Sequence, residues 1–510
     1  MPSLAASFLS HVSRYRSGWG LALLGAVAVA ARLGLLLIAG VHAEGNAYEH
    51  GEIAKNLLAG HGFSVKFLGV DGPTSQQAPL YPYLLAASSL CRGGSAPSLR
   101  AVEILQCFAG AGIALAVAGL GWTLYPRQRS VGWCAGAIAA VFPTHLYMAT
   151  QIQVVVWATL LLTLVMLAAC RAPGNRPMVS SILLGLLAGL LLLVEPIGAV
   201  ALPVAALAAW RRDCRQHGAR WYSRGPLARA ALTAAVALVV IAPWLVRNHR
   251  VHGEFVFVKS TFGYAFWQGN NEASWGTDKV PKPTAEALRI NHDGTLAGIH
   301  RALWQARHET IYIDDLLLQP GGYQEFQGLS EPARSRLLAA RAVAAIQHDP
   351  LRYLKLCAQR FRYFLTIDAT NPKAANPLYR ATTAAWLVLT VLGLLVSRSD
   401  WRTLWPTWGV CAAITLFHTL TITSARFRLP LEPLTFVWIA AGLAPLAGRL
   451  GAHYRAAWAA CARHWPGRSP QWRDTRVLRR EPPAPHIPLS PPGRPHRRAH
   501  RSISADSRAE

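Results

Sequence analysis

Glu49 and Glu52 are the carboxylates in this sequence whose spacing best suits acid–base chemistry. They lie in the stretch AEGNAYEHGEIAKNLLAGHGFS, which has the apolar pattern of a short helix and ends at Gly60 and Gly62. Residues three apart on a helix project from nearly the same face, so the two side chains would be neighbours. Either could act as a general base toward a hydroxyl group. The other interpretation of this spacing is a solvated helix face at a membrane surface.

Basic residues stand out in two short segments that flank long apolar runs. RNHR begins at Arg247, and SARFRLP contains Arg426 and Arg428. The topology derived below places both segments on the outer side of a membrane, where Lys and Arg are disfavoured in short loops. Together with Arg250 and Lys259, they are candidates to bind the phosphate of an anionic lipid-linked substrate. The alternative is that they anchor the chain to the phosphates of membrane lipids.

The strip FVFVKSTFGYAFWQGNN follows RNHR and is rich in aromatic and amide side chains. Carbohydrate sites pair aromatic faces with amides, so Trp267, Gln268 and Asn270 are candidates to stack on and hydrogen-bond a sugar. Tyr81, in the segment QAPLYPYLLA, is a further candidate contact with substrate. The alternative for Tyr81 is the membrane–water interface, where tyrosines are common.

The first part of the same strip also fits a β-hairpin or short sheet whose aromatic side chains pack beneath an outer domain. We expect this core role for Phe255, Phe257 and Phe262. For Gln268 and Asn270 we favour contact with substrate.

The elements that must position these residues are membrane spans. The chain has 510 residues, of which 52% are hydrophobic and 15% charged, and the apolar residues arrive in long blocks. A helix needs about 20 apolar residues to cross the hydrocarbon core of a bilayer. Ten segments approach or reach this length: 20–41, 104–124, 131–149, 154–170, 179–194, 197–210, 230–246, 381–397, 403–423 and 431–449. We therefore predict a polytopic α-helical membrane protein with about ten transmembrane helices.

Positive residues near span ends favour the cytoplasm, and in this chain they fall in alternate loops. Both termini are then cytoplasmic. The predicted parts are a membrane region at 1–246 with an outer loop at 42–100, an outer domain at 247–378, a second membrane region at 379–450 and a tail at 451–510. We expect juxtamembrane helices in the outer loop and a mainly helical outer domain with a helix break at His348-Asp349-Pro350.

The net charge of +26 sits largely in the cytoplasmic loops and the tail. The tail is rich in Pro, Arg and Ser without apolar periodicity, which is typical of a disordered segment attracted to anionic lipid headgroups. The outer domain carries 16 Lys and Arg against 12 Asp and Glu, so nucleic acid is not an expected partner. The eight cysteines include no CxxC pair, which indicates neither a disulfide framework nor a zinc site. The first apolar run exceeds a signal-peptide core and contains Arg32, so we expect a retained anchor and no cleavage after Ala43.

Four segments in this order resemble the bacterial, multi-spanning GT-C glycosyltransferases, the superfamily of protein O-mannosyltransferases and of the lipid A aminoarabinose transferase. They are YEHGEIAKNLLAGHGFS, QAPLYPYLLA, PWLVRNHRVHGEFVFVKSTFGYAFWQGNN and TSARFRLPLEP. The resemblance covers roughly residues 20–450 and does not extend to the tail. No single motif is diagnostic, and it is their order on a consistent topology that carries the resemblance.

The resemblance implies sugar transfer at the outer face of a bacterial inner membrane, from a polyprenyl-phosphate-linked donor to an acceptor hydroxyl. It also implies an acidic base in the first outer loop, here Glu49, with Glu52 second and Glu44 third. Many relatives carry an Asp-containing pair here and a second acid after the third span, where this chain has Gln151 and Gln153. The departure puts a second carboxylate in doubt and leaves open whether a divalent metal takes part.

The expected function is therefore that of an inverting, polyprenyl-phosphate-sugar-dependent hexosyl- or pentosyltransferase, with the lipid-linked donor and membrane lipids as partners. A transporter or flippase of a lipid-linked anionic substrate is the alternative. It would use the same outward arginines but should show paired charges deep within spans, or an inverted repeat. Only Arg32 lies clearly within a predicted span, and no repeat is found. The sequence does not indicate the sugar, the acceptor or the oligomeric state.

Overall fold

The computed structural model describes residues 3–38, 47–94, 96–171, 176–281, 311–318 and 321–444, together with positions 295, 298 and 302. Glu44, the junction after Ala43, most of the segment 282–310 and the tail at 451–510 lie outside these residues. The α-helices, numbered in chain order, are α1 Ser3–Ile38, α2 Tyr48–Leu58, α3 Leu80–Ala87, α4 Leu99–Leu124, α5 Arg129–Val141, α6 Pro143–Ala149, α7 Val155–Cys170, α8 Pro177–Val194, α9 Leu202–Gln216, α10 Arg224–His252, α11 Phe262–Asn270, α12 Ile313–Leu317, α13 Glu331–His348, α14 Pro350–Leu365, α15 Pro377–Val396, α16 Trp401–Leu420 and α17 Glu432–Ala444.

Five helices are long and apolar enough to cross a membrane: α1 from Gly18 onward, α4, α8, α10 and α15. The pair α5 and α6, which is bent by 52°, would make a sixth span, and α7 and α17 are apolar but shorter. Within the described residues, β structure is limited to three isolated bridges. The fold is that of a polytopic α-helical membrane protein, as predicted, while the count of about ten spans stays a prediction.

Helix α4 packs against α1, α5 and α7. Small residues allow the closest of these approaches. A Cβ atom on Gly121 of α4 would come within 2.7 Å of the Gly132 Cα atom on α5. Membrane helices that pack this closely gain van der Waals contact that lipid cannot supply.

Arg32, the charged residue within the first span, closes the bend between α5 and α6. Pro143 has no N–H, so the carbonyl of Ala139 lacks the donor that a continuous helix would provide. Arg32 donates from Nη2 to the Ala139 carbonyl at 3.0 Å and from Nη1 to the Ala140 carbonyl at 2.9 Å. The side chain is fully buried, and its role is to satisfy the end of a broken helix.

Glu331, at the start of α13, ties this helix to the segment between α2 and α3 and to the residues before α11. Its carboxylate accepts hydrogen bonds from the Thr74 hydroxyl at 2.6 Å, the Ser75 backbone N–H at 2.7 Å and the Ser260 hydroxyl at 2.5 Å. A cavity of about 210 Å³ adjoins this junction. Because both carboxylate oxygens of Glu331 already have protein donors, we interpret the junction as a structural link.

The strip after α10 is not a β-hairpin, and this prediction is wrong. Phe262 begins the helix α11, and the residues before it run in extended conformation without a paired strand. Phe255, Phe257 and Phe262 are 71%, 39% and 58% exposed, so the predicted core role of these three phenylalanines is also wrong.

The reason lies in side chains of α10 that take the place of a partner strand. The Trp244 Nε1–H donates to the Val258 carbonyl at 2.9 Å, and Asn248 donates to the carbonyls of Val256 and Val258. Val256 and Val258 face inward and are buried. The period of two along an extended chain then turns the intervening phenylalanines outward.

Candidate functional site

The N-terminus of α2 carries the predicted base. Glu49 and Glu52 both lie on the exposed side of this helix, as their spacing predicts, while Ile53 and Ala54 are buried on the other side. Tyr48, the first residue of the helix, has a φ of +48°, which is an unusual backbone conformation for a residue with a side chain. Such conformations persist only where the surrounding structure enforces them, and they cluster at functional sites.

His50 connects this helix end to two cations from distant parts of the chain. Its ring packs edge-on against Tyr81, with 5.0 Å between ring centroids. Burial, followed by the positive charges of Lys259 and Arg426, lowers the pKa of His50 to about 3. The imidazole is therefore neutral at physiological pH. Lys259 and Arg426 thus both lie within electrostatic range of the residue next to Glu49.

A hydrogen-bonded triad joins α11 and α12 within electrostatic range of Glu49. Gln268 donates from Nε2 to the Tyr264 hydroxyl at 2.8 Å and to the Asp314 carboxylate at 3.3 Å. Tyr264 is also hydrogen-bonded to Asp314, whose pKa is raised by burial. Burial and the negative charges of Asp314 and Glu49 raise the pKa of the Tyr264 phenol well above its usual value. Glu49 is therefore an electrostatic neighbour of this triad.

Asp278 and Lys279 form an ion pair in the loop that follows α11, with 2.5 Å between the Lys279 Nζ and the Asp278 carboxylate. Burial alone would raise the pKa of Asp278, but the charges of Lys279 and Arg426 bring it below its usual value. Asp278 therefore stays ionised beside two cations. Its negative charge also acts on Tyr264.

These residues interact with one another from five separate segments of the chain, and we call them the charged cluster. Its members are Glu49, His50, Lys259, Tyr264, Gln268, Asp278, Lys279, Asp314 and Arg426. The cluster sets three cations beside three carboxylates. That combination suits a ligand with an anionic group and several hydroxyl groups.

Two of the predicted phosphate ligands are engaged inside the fold instead. Arg247 donates to the carbonyls of Phe63 and Thr74 and stacks over Trp244, with 4.7 Å from its guanidinium carbon to the ring centroid. Arg428 is buried and paired with Glu432 at 2.9 Å. Arg250 is exposed near the end of α10. The structure does not bring Arg247 or Arg428 into the charged cluster.

Two of the predicted sugar contacts are likewise buried within the protein. The Tyr81 hydroxyl donates to Gln106 at 2.9 Å, while its ring packs against His50. Asn270 donates to the Phe266 and Thr421 carbonyls and accepts from Arg360. Gln268 is the predicted sugar contact that the structure places in the cluster.

Sequence reasoning missed several members of the cluster. His50 could have been found, because it lies between the two candidate glutamates. Asp314 is 46 residues from Gln268 in the chain, and no periodicity or motif joins the two. Within the described part of the chain, no group of three or more His, Cys, Asp or Glu side chains is arranged to hold a metal ion.

No protein-family model and no curated protein matches the chain. Similar solved structures include the archaeal oligosaccharyltransferase AglB from Archaeoglobus fulgidus in complex with an inhibitory peptide and a dolichol-phosphate, at 15% identity and a TM-score of 0.48 over 90% of this chain and 53% of that chain. ArnT from Cupriavidus metallidurans bound to undecaprenyl phosphate is similar at 18% identity and a TM-score of 0.35, over 84% of this chain and 78% of that chain.

The chain thus spans about half the length of the archaeal oligosaccharyltransferase. Because both TM-scores are below 0.5, the function proposed next rests on the residues of this chain.

Proposed function

We propose that this protein is a membrane glycosyltransferase that moves a sugar from a polyprenyl-phosphate-linked donor to an acceptor hydroxyl. The reaction would take place at the outer face of a bacterial inner membrane and would invert the anomeric configuration. Glu49 is the proposed base, with Glu52 as the second candidate. The proposed phosphate ligands are Lys259 and Arg426, and Gln268 is a proposed sugar contact.

One observation carries the proposal: Lys259 and Arg426 both act on His50, the residue next to Glu49. Two predicted phosphate ligands therefore lie within electrostatic range of the residue beside the predicted base, although the three come from different segments of the chain. A substrate phosphate between these cations would lie close to a carboxylate that could activate an acceptor. Because His50 is neutral, the positive charge available to the phosphate comes from Lys259 and Arg426.

The proposed chemistry is a single displacement. Glu49 takes the proton of the acceptor hydroxyl, and the acceptor oxygen attacks the anomeric carbon from the face opposite the phosphate. The bond between that carbon and the phosphate oxygen breaks, and the polyprenyl phosphate leaves with the electron pair. Lys259 and Arg426 offset the negative charge that develops on this leaving group, which lowers the barrier.

A transporter of a lipid-linked anion is the second candidate, and one observation favours it. Glu432, at the start of the apolar helix α17, is fully buried between Arg428 and His145, with 3.2 Å to the His145 Nε2. Paired charges beside or within spans are typical of transport proteins. Arg428, however, also donates to three carbonyls at the end of α14, which fits a static connection between helices.

The test is sugar transfer from polyprenyl-phosphate sugars in proteoliposomes, with wild type, Glu49→Gln, Glu52→Gln and the control Glu325→Gln. Glu325 is exposed and paired with Arg341, and neither residue is a member of the cluster. We expect Glu49→Gln to lower the turnover number by about 100-fold or more, since general base catalysis contributes roughly that factor. The donor KM should change little, and Glu325→Gln should behave as wild type.

Full transfer by Glu49→Gln would move the base to Glu52 or Glu44, and the corresponding Gln variants would then identify it. Wild type that transfers no sugar, but moves the lipid-linked sugar across the vesicle membrane, would replace the glycosyltransferase with the transporter.

A further inference from the structure

Asp368, in the loop between α14 and α15, is a buried carboxylate with only one oxygen in use. Its Oδ1 accepts from the Thr370 backbone N–H at 2.9 Å and from the Thr370 hydroxyl at 2.6 Å. Its Oδ2 is buried without a hydrogen-bond partner among the residues that the structure describes. The residue as a whole is 1% exposed. A half-satisfied carboxylate in such a place is costly, because burial removes water that would otherwise bind the free oxygen.

Thr423 presents a second buried polar atom of the same kind. Its hydroxyl has no partner within the described part of the chain, and the residue is fully buried. The Thr423 backbone N–H donates to the Gly276 carbonyl at 3.1 Å. Thr277, which follows Gly276, is hydrogen-bonded to Thr370 at 2.8 Å, and Thr370 in turn donates to Asp368. Asp368 and Thr423 are therefore held to the same short segment, 276–277.

This polar region adjoins the charged cluster. Lys279 and Asp278 are both electrostatic neighbours of Asp368, and Thr423 lies three residues before Arg426 in the turn that also reaches His50. Two unpaired buried polar atoms beside a cluster of ligand-binding character call for an explanation, because most buried polar atoms in folded proteins are paired.

We propose that Asp368 and Thr423 form a subsite for hydroxyl groups of the transferred sugar. This inference rests on the proposed function and deepens it. The Asp368 Oδ2 accepts a hydrogen bond from one sugar hydroxyl, and the Thr423 hydroxyl bonds to the same or a neighbouring one. Each of the two atoms thereby gains a hydrogen-bond partner, which the described residues do not provide.

The chemistry of the subsite selects hydroxyl groups over other ligands. A carboxylate repels the donor phosphate, which belongs with Lys259 and Arg426. A divalent cation needs several oxygen ligands, whereas Asp368 offers one free oxygen. A site built to hydrogen-bond a hydroxyl rejects an analogue that lacks it, because the buried polar groups are then left unpaired.

The test combines two substitutions with altered donors. Wild type, Asp368→Asn and Thr423→Val are compared in their transfer from a polyprenyl-phosphate-linked hexose and from its series of monodeoxy analogues. In wild type we expect the absence of one particular hydroxyl to raise the donor KM by about 10-fold or more. Asp368→Asn should raise the KM for the parent donor by a similar factor, yet leave the KM for that deoxy donor nearly unchanged.

Thermal stability in detergent separates binding from folding. Both substitutions remove atoms that lack partners within the described fold, so neither should lower the melting temperature. If Asp368→Asn does not fold, Thr423→Val gives the same comparison, because valine matches threonine in shape.

Equal losses of transfer with every donor, or an unchanged KM for the parent donor, would overturn the subsite while leaving the proposed function standing. Wild type that transfers no sugar at all would overturn both.

Discussion

Arg426 and Arg428 lie two residues apart in one turn, and the structure gives them opposite surroundings. Arg428 is buried and paired with Glu432, and its guanidinium carbon lies 4.5 Å from the Trp386 ring centroid. Arg426 is exposed, with its cationic group over Phe427, and it belongs to the charged cluster. The first arginine has its partners in the fold, whereas the second is exposed at the surface.

The same contrast separates two regions of the molecule. Arg428, Glu432 and His145, which we call the buried clamp, join α6, α17 and the end of α14. Arg428 donates to one oxygen of Glu432 and to carbonyls of α14, and the other oxygen lies 3.2 Å from the His145 Nε2. The charged cluster instead includes an exposed cation, Arg426, and an exposed carboxylate, Glu49. Charge in an apolar setting therefore does not indicate a site by itself. What matters is whether the neighbouring groups already supply the partners.

The largest effect that would test this comparison is expected for Arg428→Met. Removing one partner of a buried ion pair leaves the other charge uncompensated, which typically costs about 3–5 kcal/mol of unfolding free energy. Thermal unfolding in detergent measures this loss. The double variant Arg428→Met/Glu432→Leu should recover much of it, because no unpaired charge remains. A single variant as stable as wild type would show that the buried clamp does not hold these helices together.

A smaller effect, on binding alone, is expected for Arg426→Met and Lys259→Met. Hydrogen bonds to charged groups contribute about 1.5–3 kcal/mol, so each variant should raise the donor KM roughly 10- to 100-fold. The melting temperature should stay near that of wild type, since Arg426 is exposed and Lys259 is only loosely paired with Glu195 at 4.0 Å.

Arg362→Met is the matched control, because Arg362 is an exposed arginine of α14 that stacks on Tyr363. Its KM should equal that of wild type. If Arg426→Met destabilised the protein as Arg428→Met does, the distinction between the two arginines would fail.

Much of the fold was predictable because it follows from local patterns. The apolar blocks predicted a helical membrane protein. Gly60 and Gly62 follow the end of α2 with positive φ angles, and the helix breaks at Asp349, between α13 and α14. The strip at 255–262 was not predictable, because Trp244 and Asn248 of the preceding helix replace the strand that its pattern favours.

The candidate site was predictable only where residue types and their spacing within one segment indicate a function. Glu49 follows from the spacing of two carboxylates, but the difference between Arg426 and Arg428 depends on the position of Glu432 and of the last carbonyls of α14. Asp368 and Asp314 carry no distinguishing pattern in the sequence. Long-range packing places them, and that packing cannot be derived from residue types alone.

The smallest effect concerns stability and pH, and it follows from the opposite shifts of Asp368 and Asp278. Burial raises the folded-state pKa of Asp368, with Lys279 partly opposing, so above that pKa the folded protein bears the cost of a buried charge. Asp368→Asn removes this cost, and we expect it to stabilise the protein by about 1 kcal/mol at pH 7. The gain should shrink as the pH falls through the raised pKa and vanish below about 3.9, the unfolded value.

Asp278→Asn should show the reverse sign at neutral pH. Despite its burial, Asp278 has a lowered folded-state pKa because of Lys279 and Arg426, so its charge stabilises the fold above the unfolded value, and this contribution is lost as the pH falls through the lowered pKa. Unfolding midpoints of both variants between pH 3 and pH 8 measure the two curves. A destabilised Asp368→Asn at pH 7 would mean that its second oxygen has a partner within the fold. Asp368 would then resemble Arg428 in having its partners within the fold. An oxygen that already accepts a hydrogen bond from the protein would not be available to a sugar hydroxyl.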